Sequence, residues 1–173
     1  CFPGNAGTKK IAENVDLIID NFEELKKFFV SKKIQLIIVG PEKPLVEGIV
    51  DFFEKNNILI FGPNKLASQL EGSKIFTKEI CEKYKIPTAK FGIFKDTQKA
   101  KLFINHSKFP LVVKADGLAS GKGVYICEDK DIAENAVDEI FNGKFGKAKN
   151  LLIEEFLRGE EMSYFIVSDG STI

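Results

Sequence analysis

Within VVKADGLASGKGV (residues 112–124), Lys114 ends an apolar run and Lys122 sits in a stretch that holds three glycines. Glycine carries no Cβ, so backbone N–H groups there can close on phosphate oxygens, and the two ammonium groups would add charge to the same ligand. Taken alone, the stretch also fits a flexible hairpin with surface lysines. It is not a P-loop, because Gly117 and Gly121 enclose only three residues and Gly123 follows Lys122 where a Ser or Thr would meet magnesium. A dinucleotide-binding G-x-G-x-x-G fails on spacing as well. The pattern that remains is a strand–loop–strand flap, with Lys114 projecting from its first strand toward an α- or β-phosphate.

Two further stretches bear on the same ligand. IEEFLRGEE (residues 153–161) runs from an apolar strand into a turn with four carboxylates. A purine needs an apolar slot with one backbone carbonyl and one backbone N–H at its rim, and Glu154, Glu155, Phe156 and Leu157 can form one. Glu161 then stands where a carboxylate can accept two ribose hydroxyls. Read alone, this is a charged, solvated turn. In LEGSKIFTK (residues 70–78), Lys74 falls in the first turn of a helix, where the dipole disfavours a cation and a bound phosphate would relieve the repulsion. A surface lysine tolerates that position at small cost. Weak singly, the three signals together favour ATP.

The elements that must hold these residues follow from periodicity. NFEELKKFFVSKK reads as a helix with Leu25, Phe28 and Phe29 on one face, capped by Asp20 or Asn21. QLIIVG and ILIFG read as short buried strands, separated by a helix near Pro44 with Leu45, Ile49, Phe52 and Phe53 on one face. Alternating strands and helices predict a parallel, doubly wound sheet whose ligand sits by the loops GPEKPL and GPNK. A third helix is expected from Ser73 to about Tyr84 with Phe76, Ile80 and Tyr84 inward, and IPTA then breaks the pattern. Beyond it, KFGIF, PLVVKA, VYIC, LLIEEFL and EMSYFIV read as strands. TQKAKLFINH and DIAENAVDEIF read as helices, the latter burying Ile132, Ala136, Val137 and Ile140. The expected architecture is α/β: an incomplete Rossmann-like parallel-sheet domain with its linker helix over residues 1–85, then an α+β domain with an antiparallel sheet over 86–173.

Composition narrows the function classes. Lys+Arg and Asp+Glu balance at 25 each, which argues against a general nucleic-acid or membrane-surface binder while leaving room for a local positive pocket. No apolar run approaches the roughly 18 residues of a membrane helix. Cys1, Cys81 and Cys127 share no metal-site spacing and read as reduced, buried thiols of a cytoplasmic protein. His106 is the only histidine, so a Ser-His-Asp triad or multi-histidine metal site is out of reach. The chain opens on CFPGN without a methionine and ends just after an apolar run, as expected of a segment of a longer protein.

In their order and spacing, LEGSKIFTK, IPTA, VVKADGLASGKGV and LLIEEFLRGEEMS resemble the ATP-grasp superfamily. With PGNAGT (residues 3–8) and VGPEKPLVEGIVDFF (residues 39–53), nearly the whole chain resembles the glycinamide ribonucleotide synthetase family, the phosphoribosylamine–glycine ligases of purine synthesis. The resemblance implies that residues 86–173 are an ATP-grasp lid domain, truncated at its C-terminal end. It implies that Lys74 and Lys114 contact ATP phosphates, with Lys114 catalytic, and that Gly121, Lys122 and Gly123 fold over them. The Glu154 carbonyl and Leu157 N–H would hold adenine, and Glu161 the ribose. Gly4, Asn5 and Gly7, with Gly40, Pro41 and Glu42, would face phosphoribosylamine. Glycine, phosphoribosylamine and ATP are the implied small-molecule partners, with Mg²⁺ or Mn²⁺ as the metal and no metal ligand among these residues. The family's opening strand and GSGGREH-like turn are absent ahead of Cys1, and its acidic and asparagine metal ligands are expected beyond Ile173. The segment alone is expected to be inactive, and the protein a monomer or weak dimer. Another ATP-grasp enzyme, of carboxylase type, and a non-catalytic nucleotide-binding module are the alternatives.

Overall fold

The computed structural model describes residues 1–118, 122–146, 148–168 and 170–172. Helix α1 (Phe22–Ser31) starts where the Asn21 side chain accepts from the Glu24 N–H at 3.1 Å, with Glu23 and Glu24 in its first turn. Strand β1 (Ile37–Ile38) pairs in parallel with β2 (Ile60–Phe61), Ile37 opposite Ile60. Parallel strands need a crossover between them, which α2 (Glu42–Glu47) and α3 (Ile49–Lys55) provide. Leu25, Leu45, Ile49, Val50 and Phe53 form the core beneath this pair. Phe52 and Phe53 meet edge to face at 5.2 Å, and Phe29 lies 5.5 Å from Phe53.

The second half is a four-stranded antiparallel sheet in the order β3 (Phe91–Phe94), β6 (Leu151–Glu155), β4 (Leu111–Ala115), β5 (Val124–Cys127). Helices α6 (Thr97–Asn105) and α7 (Lys130–Phe141) cover one face, each capped by an aspartate, Asp96 and Asp129. Ile104, Val113, Val137, Ile140 and Ile153 are buried between helices and sheet. The short helix α4 (Gln69–Gly72) and α5 (Lys74–Tyr84) join the two halves. The expected fold class, a parallel-sheet unit followed by an antiparallel α+β unit, is the one observed.

Several expectations change in detail. The helix near Pro44 is two helices, because Gly48 takes φ +96° and its N–H bonds back to Leu45 and Pro44. Leu45, Ile49 and Phe53 still share a buried face across the break, while Phe52 is half-buried. On α5 the buried residues are Ile75 and Lys78, and Tyr84 is 63% exposed. The inward stripe is therefore rotated by one residue, about 100° of helix, because α5 faces an acidic partner and not an apolar one. On α7, Ala133 is buried in place of Ile132, which is 43% exposed. EMSYFIV is not a strand, and Phe165 is 89% exposed. Composition gives strand propensity, but a strand also needs a neighbour, and none of the described strands pairs with this stretch. Cys127 is buried as expected, whereas Cys81 is half-buried and Cys1 exposed.

Two measurements check this packing. Ile153→Ala, in the fully buried sheet centre, should lose about 2–5 kcal/mol, whereas Ile126→Ala, 56% exposed, should lose under about 0.5 kcal/mol; denaturant midpoints compare them. Burial pushes the Cys127 thiol up to about 11, so a thiol reagent near pH 8 should label Cys1 and reach Cys127 only on unfolding.

Candidate functional site

Lys114 is the fourth residue of β4, and its register sets its direction. Leu111, Val113 and Ala115 point into the core with Leu151 and Ile153 of β6, so Val112 and Lys114 share the opposite face with Leu152 and Glu154. On that face the Lys114 ammonium pairs with Oε1 of Glu154. The Glu154 side chain is only 6% exposed, and its Oε2 lies 2.7 Å from Lys78 Nζ. That second contact is ionic and lacks the angles of a hydrogen bond, since Oε2 accepts none. Lys78 also donates to Thr88 Oγ1 at 2.6 Å and to the Ala89 carbonyl at 3.4 Å, and lies 5.5 Å from the Phe91 ring centre.

Lys74 opens α5 on the same side. Ser73 caps the helix by accepting from the Phe76 N–H at 3.1 Å, and its hydroxyl donates to Asp116 Oδ1 at 3.0 Å. The Ile75 N–H donates to the same carboxylate at 3.3 Å. Asp116, just past β4, thus supplies the anion that the helix N-terminus favours. Lys74 Nζ donates to the Gly117 carbonyl at 2.6 Å, and Gly117 turns the chain at φ +93°. Burial holds the Lys74 ammonium below the ordinary lysine range; Asp116 opposes the shift and the neighbouring charge of Lys114 adds to it.

A cavity of about 320 Å³ lies between Lys74, Lys114, Thr77, Lys78, Val124 and Leu152. Lys74 also borders a larger cleft, about 1100 Å³, lined among others by Glu42, Lys43, Lys122, Gly123 and Lys144. Among the described residues, Lys74, Lys114, Lys122, Gly123 and Glu42 are therefore brought to adjoining spaces in whose lining lysines outnumber carboxylates. The GPNK loop instead borders a separate cleft under the C-terminal residues, where Glu54 is the charged side chain among the described lining. Its sign is wrong for a polyphosphate.

Other expected residues stand apart. Glu155 accepts from the Lys90 N–H at 3.0 Å and so fastens the end of β6 to the start of β3. Phe156 is half-buried, Leu157 and Glu161 are exposed, and none of the three lines either lysine cleft. Asn5 Oδ1 accepts from the N–H groups of Gly7 (2.8 Å) and Thr8 (3.1 Å), which closes the turn that contains Gly7 and follows Gly4. Gly40 and Pro41 lead into α2, whose first turn carries Glu42 to the larger cleft. Gly121 lies outside the described residues. Lys78 and Asp116 had no role in the sequence reading. One signal pointed to them: Lys74 and Lys78 are like charges at i,i+4, a repulsive pair unless anions stand beside it. Among the described residues, no group of three or more His, Cys, Asp or Glu side chains converges to hold a metal ion. None of the described helices is long and apolar enough to cross a membrane.

Comparison with known proteins gives this geometry a family. The phosphoribosylglycinamide synthetase N-domain model matches residues 1–71, and the ATP-grasp (A) domain model of the same family matches residues 72–173. Phosphoribosylamine–glycine ligase from Mesorhizobium japonicum is 48% identical over 98% of this chain and 40% of its own length. The ligase from Caldanaerobacter subterraneus is 46% identical over all of this chain and 42% of its own length. The crystal structure of phosphoribosylamine–glycine ligase from Thermotoga maritima superimposes with a TM-score of 0.74 at 31% identity, over 92% of this chain and 38% of that one. The biotin carboxylase domain of Hydrogenobacter thermophilus 2-oxoglutarate carboxylase, 24% identical with a TM-score of 0.64, shares the fold alone. The chain spans about 40% of the length of the curated relatives it matches. With both of the family's consecutive segments matched end to end, and with the lysine-walled cavity at their junction, the chain belongs to the phosphoribosylglycinamide synthetase family.

Proposed function

We propose that the protein carrying this chain is an ATP-dependent ligase that joins glycine to 5-phosphoribosylamine, giving glycinamide ribonucleotide, ADP and phosphate. One observation carries the reading: Lys74 from α5 and Lys114 from β4, in different elements, line one cavity. The glycine carboxylate attacks the γ-phosphorus and ADP leaves, forming glycyl phosphate. The amine of phosphoribosylamine then attacks the acyl carbon, phosphate leaves, and the amine nitrogen gives up a proton. A carboxylate and a triphosphate repel one another, so ammonium groups held in place offset the charge and position the reactants. The flap, with Gly121, Lys122 and Gly123, closes over the phosphates and keeps water from the acyl phosphate.

The same reading gives adenine to the backbone of Glu154, Glu155, Phe156 and Leu157, the ribose to Glu161, and phosphoribosylamine to Gly4, Asn5, Gly7, Gly40, Pro41 and Glu42. Units of 1–85 and 86–173 are the working division of the chain. Mg²⁺ or Mn²⁺ would neutralise phosphate charge when bound. The described residues supply no donor set for it, and no step here is routed through it. The protein acts in the cytoplasm on small molecules, as a monomer or weak dimer, without nucleic acid or membrane.

The intact protein should release ADP only when glycine and phosphoribosylamine are both present; bicarbonate-dependent release would instead mark a carboxylase. Lys114→Ala should lower kcat by about 10²–10³, the effect of removing one preorganised charge donor, and full turnover by that variant would refute the assignment. ATP affinity carries a pH signature. Because the Lys74 value is lowered, its proton is lost, and phosphate affinity with it, before pH reaches the ordinary 10.5. Lys74→Arg should move that loss to higher pH in a nucleotide titration.

A further inference from the structure

Lys78 has no place among the nucleotide contacts above, yet Lys78 and Glu154 are the charged residues buried among those described. Burial of an ammonium is tolerated only with partners. Lys78 has three: Glu154 Oε2 at 2.7 Å, Thr88 Oγ1 at 2.6 Å and the Ala89 carbonyl at 3.4 Å. Two hydrogen bonds and one ionic contact surround this cation with oxygen partners and hold it in place. Lys114 is placed differently. Both lysines border the cavity, but the Lys114 side chain is 26% exposed against 11% for Lys78, and its ion-pair partner is the other oxygen of the same carboxylate.

The charge count at this spot decides which lysine can serve a ligand. One carboxylate between two ammonium groups leaves one positive charge in excess, on the cavity side. If Lys114 were the sole counter-ion of Glu154, drawing it to a phosphate would strand a buried carboxylate, and the protein would resist that motion. With Lys78 in place, Glu154 stays compensated wherever the Lys114 ammonium goes. From this geometry we infer that Lys78 is a positioning residue: it holds Glu154 charge-compensated so that Lys114 is free to meet the triphosphate. The inference rests on the reading of Lys114 as a phosphate contact.

The experiment uses the intact protein, with ATP varied at saturating glycine and phosphoribosylamine. Lys78→Met should raise the KM for ATP by about tenfold or more with kcat little changed, because Lys114 is then clamped on Glu154 before ATP binds. Lys78→Arg, which keeps the charge, should recover part of the loss. The double variant Lys78→Met with Glu154→Gln has neither buried charge and no clamp, so its KM should return toward that of the wild type. An unchanged KM in Lys78→Met overturns the inference, as does an equally raised KM in the double variant. If Lys78→Met does not fold, the double variant decides alone by the same criterion. Direct ATP binding separates the two levels. A wild type that binds ATP without ligating glycine refutes the functional reading, while the Lys78 comparisons stand on Kd. A wild type that binds no ATP overturns both.

Discussion

One carboxylate, Glu154, removed from solvent and shared between two lysines, is the constraint around which the chain is arranged. A charge in such a place must be paired, and its partners come from two further elements, Lys78 from α5 and Lys114 from β4. Meeting that condition presses α5 against the face of the sheet that α6 and α7 leave open. It also accounts for the rotation of α5, which turns Ile75 and Lys78 inward and leaves Tyr84 in solvent. The bond from Lys78 to Thr88 extends the arrangement into the IPTA connector. Helix, connector and sheet are thus held by charge at the point where apolar packing is thin.

A second contact completes the junction. Asp116 offers its carboxylate to Ser73 and to the Ile75 N–H, and Lys74 reaches the Gly117 carbonyl. The start of the flap is therefore tied to the start of α5, while β5, beyond the flap, pairs on one side only. The like charges of Lys74 and Lys78 are tolerable one turn apart because each has its own oxygen partners: the Gly117 carbonyl with Asp116 nearby for one, and Glu154, Thr88 and Ala89 for the other. A site for a polyanion is built here from cations already steadied by the fold, with Lys114 the more exposed of the two that border the cavity and share Glu154.

Much of the frame was legible from local pattern. Asn21, Ser73, Asp96 and Asp129 cap helices because a short polar side chain ahead of an amphipathic run can accept the first free N–H groups. β4, β5 and β6 are short apolar runs between breakers, and the sheet forms from them. The failures occurred where a neighbour decides. EMSYFIV has the composition of a strand, yet no described strand pairs with it. The helix near Pro44 divides at Gly48, whose backbone freedom the turn uses. Ile132 is 43% exposed and Ala133, one residue on, is buried with Ala136, Val137 and Ile140, so the buried face of α7 is set by its neighbours and not by apolarity alone.

The amino-acid order alone determined the candidate lysines, the glycine flap, the acidic stretch after β6 and the two-part grammar of the chain, because helix periodicity, strand alternation and phosphate chemistry act over a few neighbouring residues. Tertiary structure alone decided that Glu154 would spend its side chain on Lys78 and Lys114, that Asp116 would cap α5, and that Glu42 and Lys74 would border one cleft. Those partners are 40 to 76 residues apart in the chain (Lys114 to Glu154, Lys78 to Glu154) or are joined only by packing. Pairing of buried charge over that distance depends on how sheets and helices stack, and no local rule encodes it.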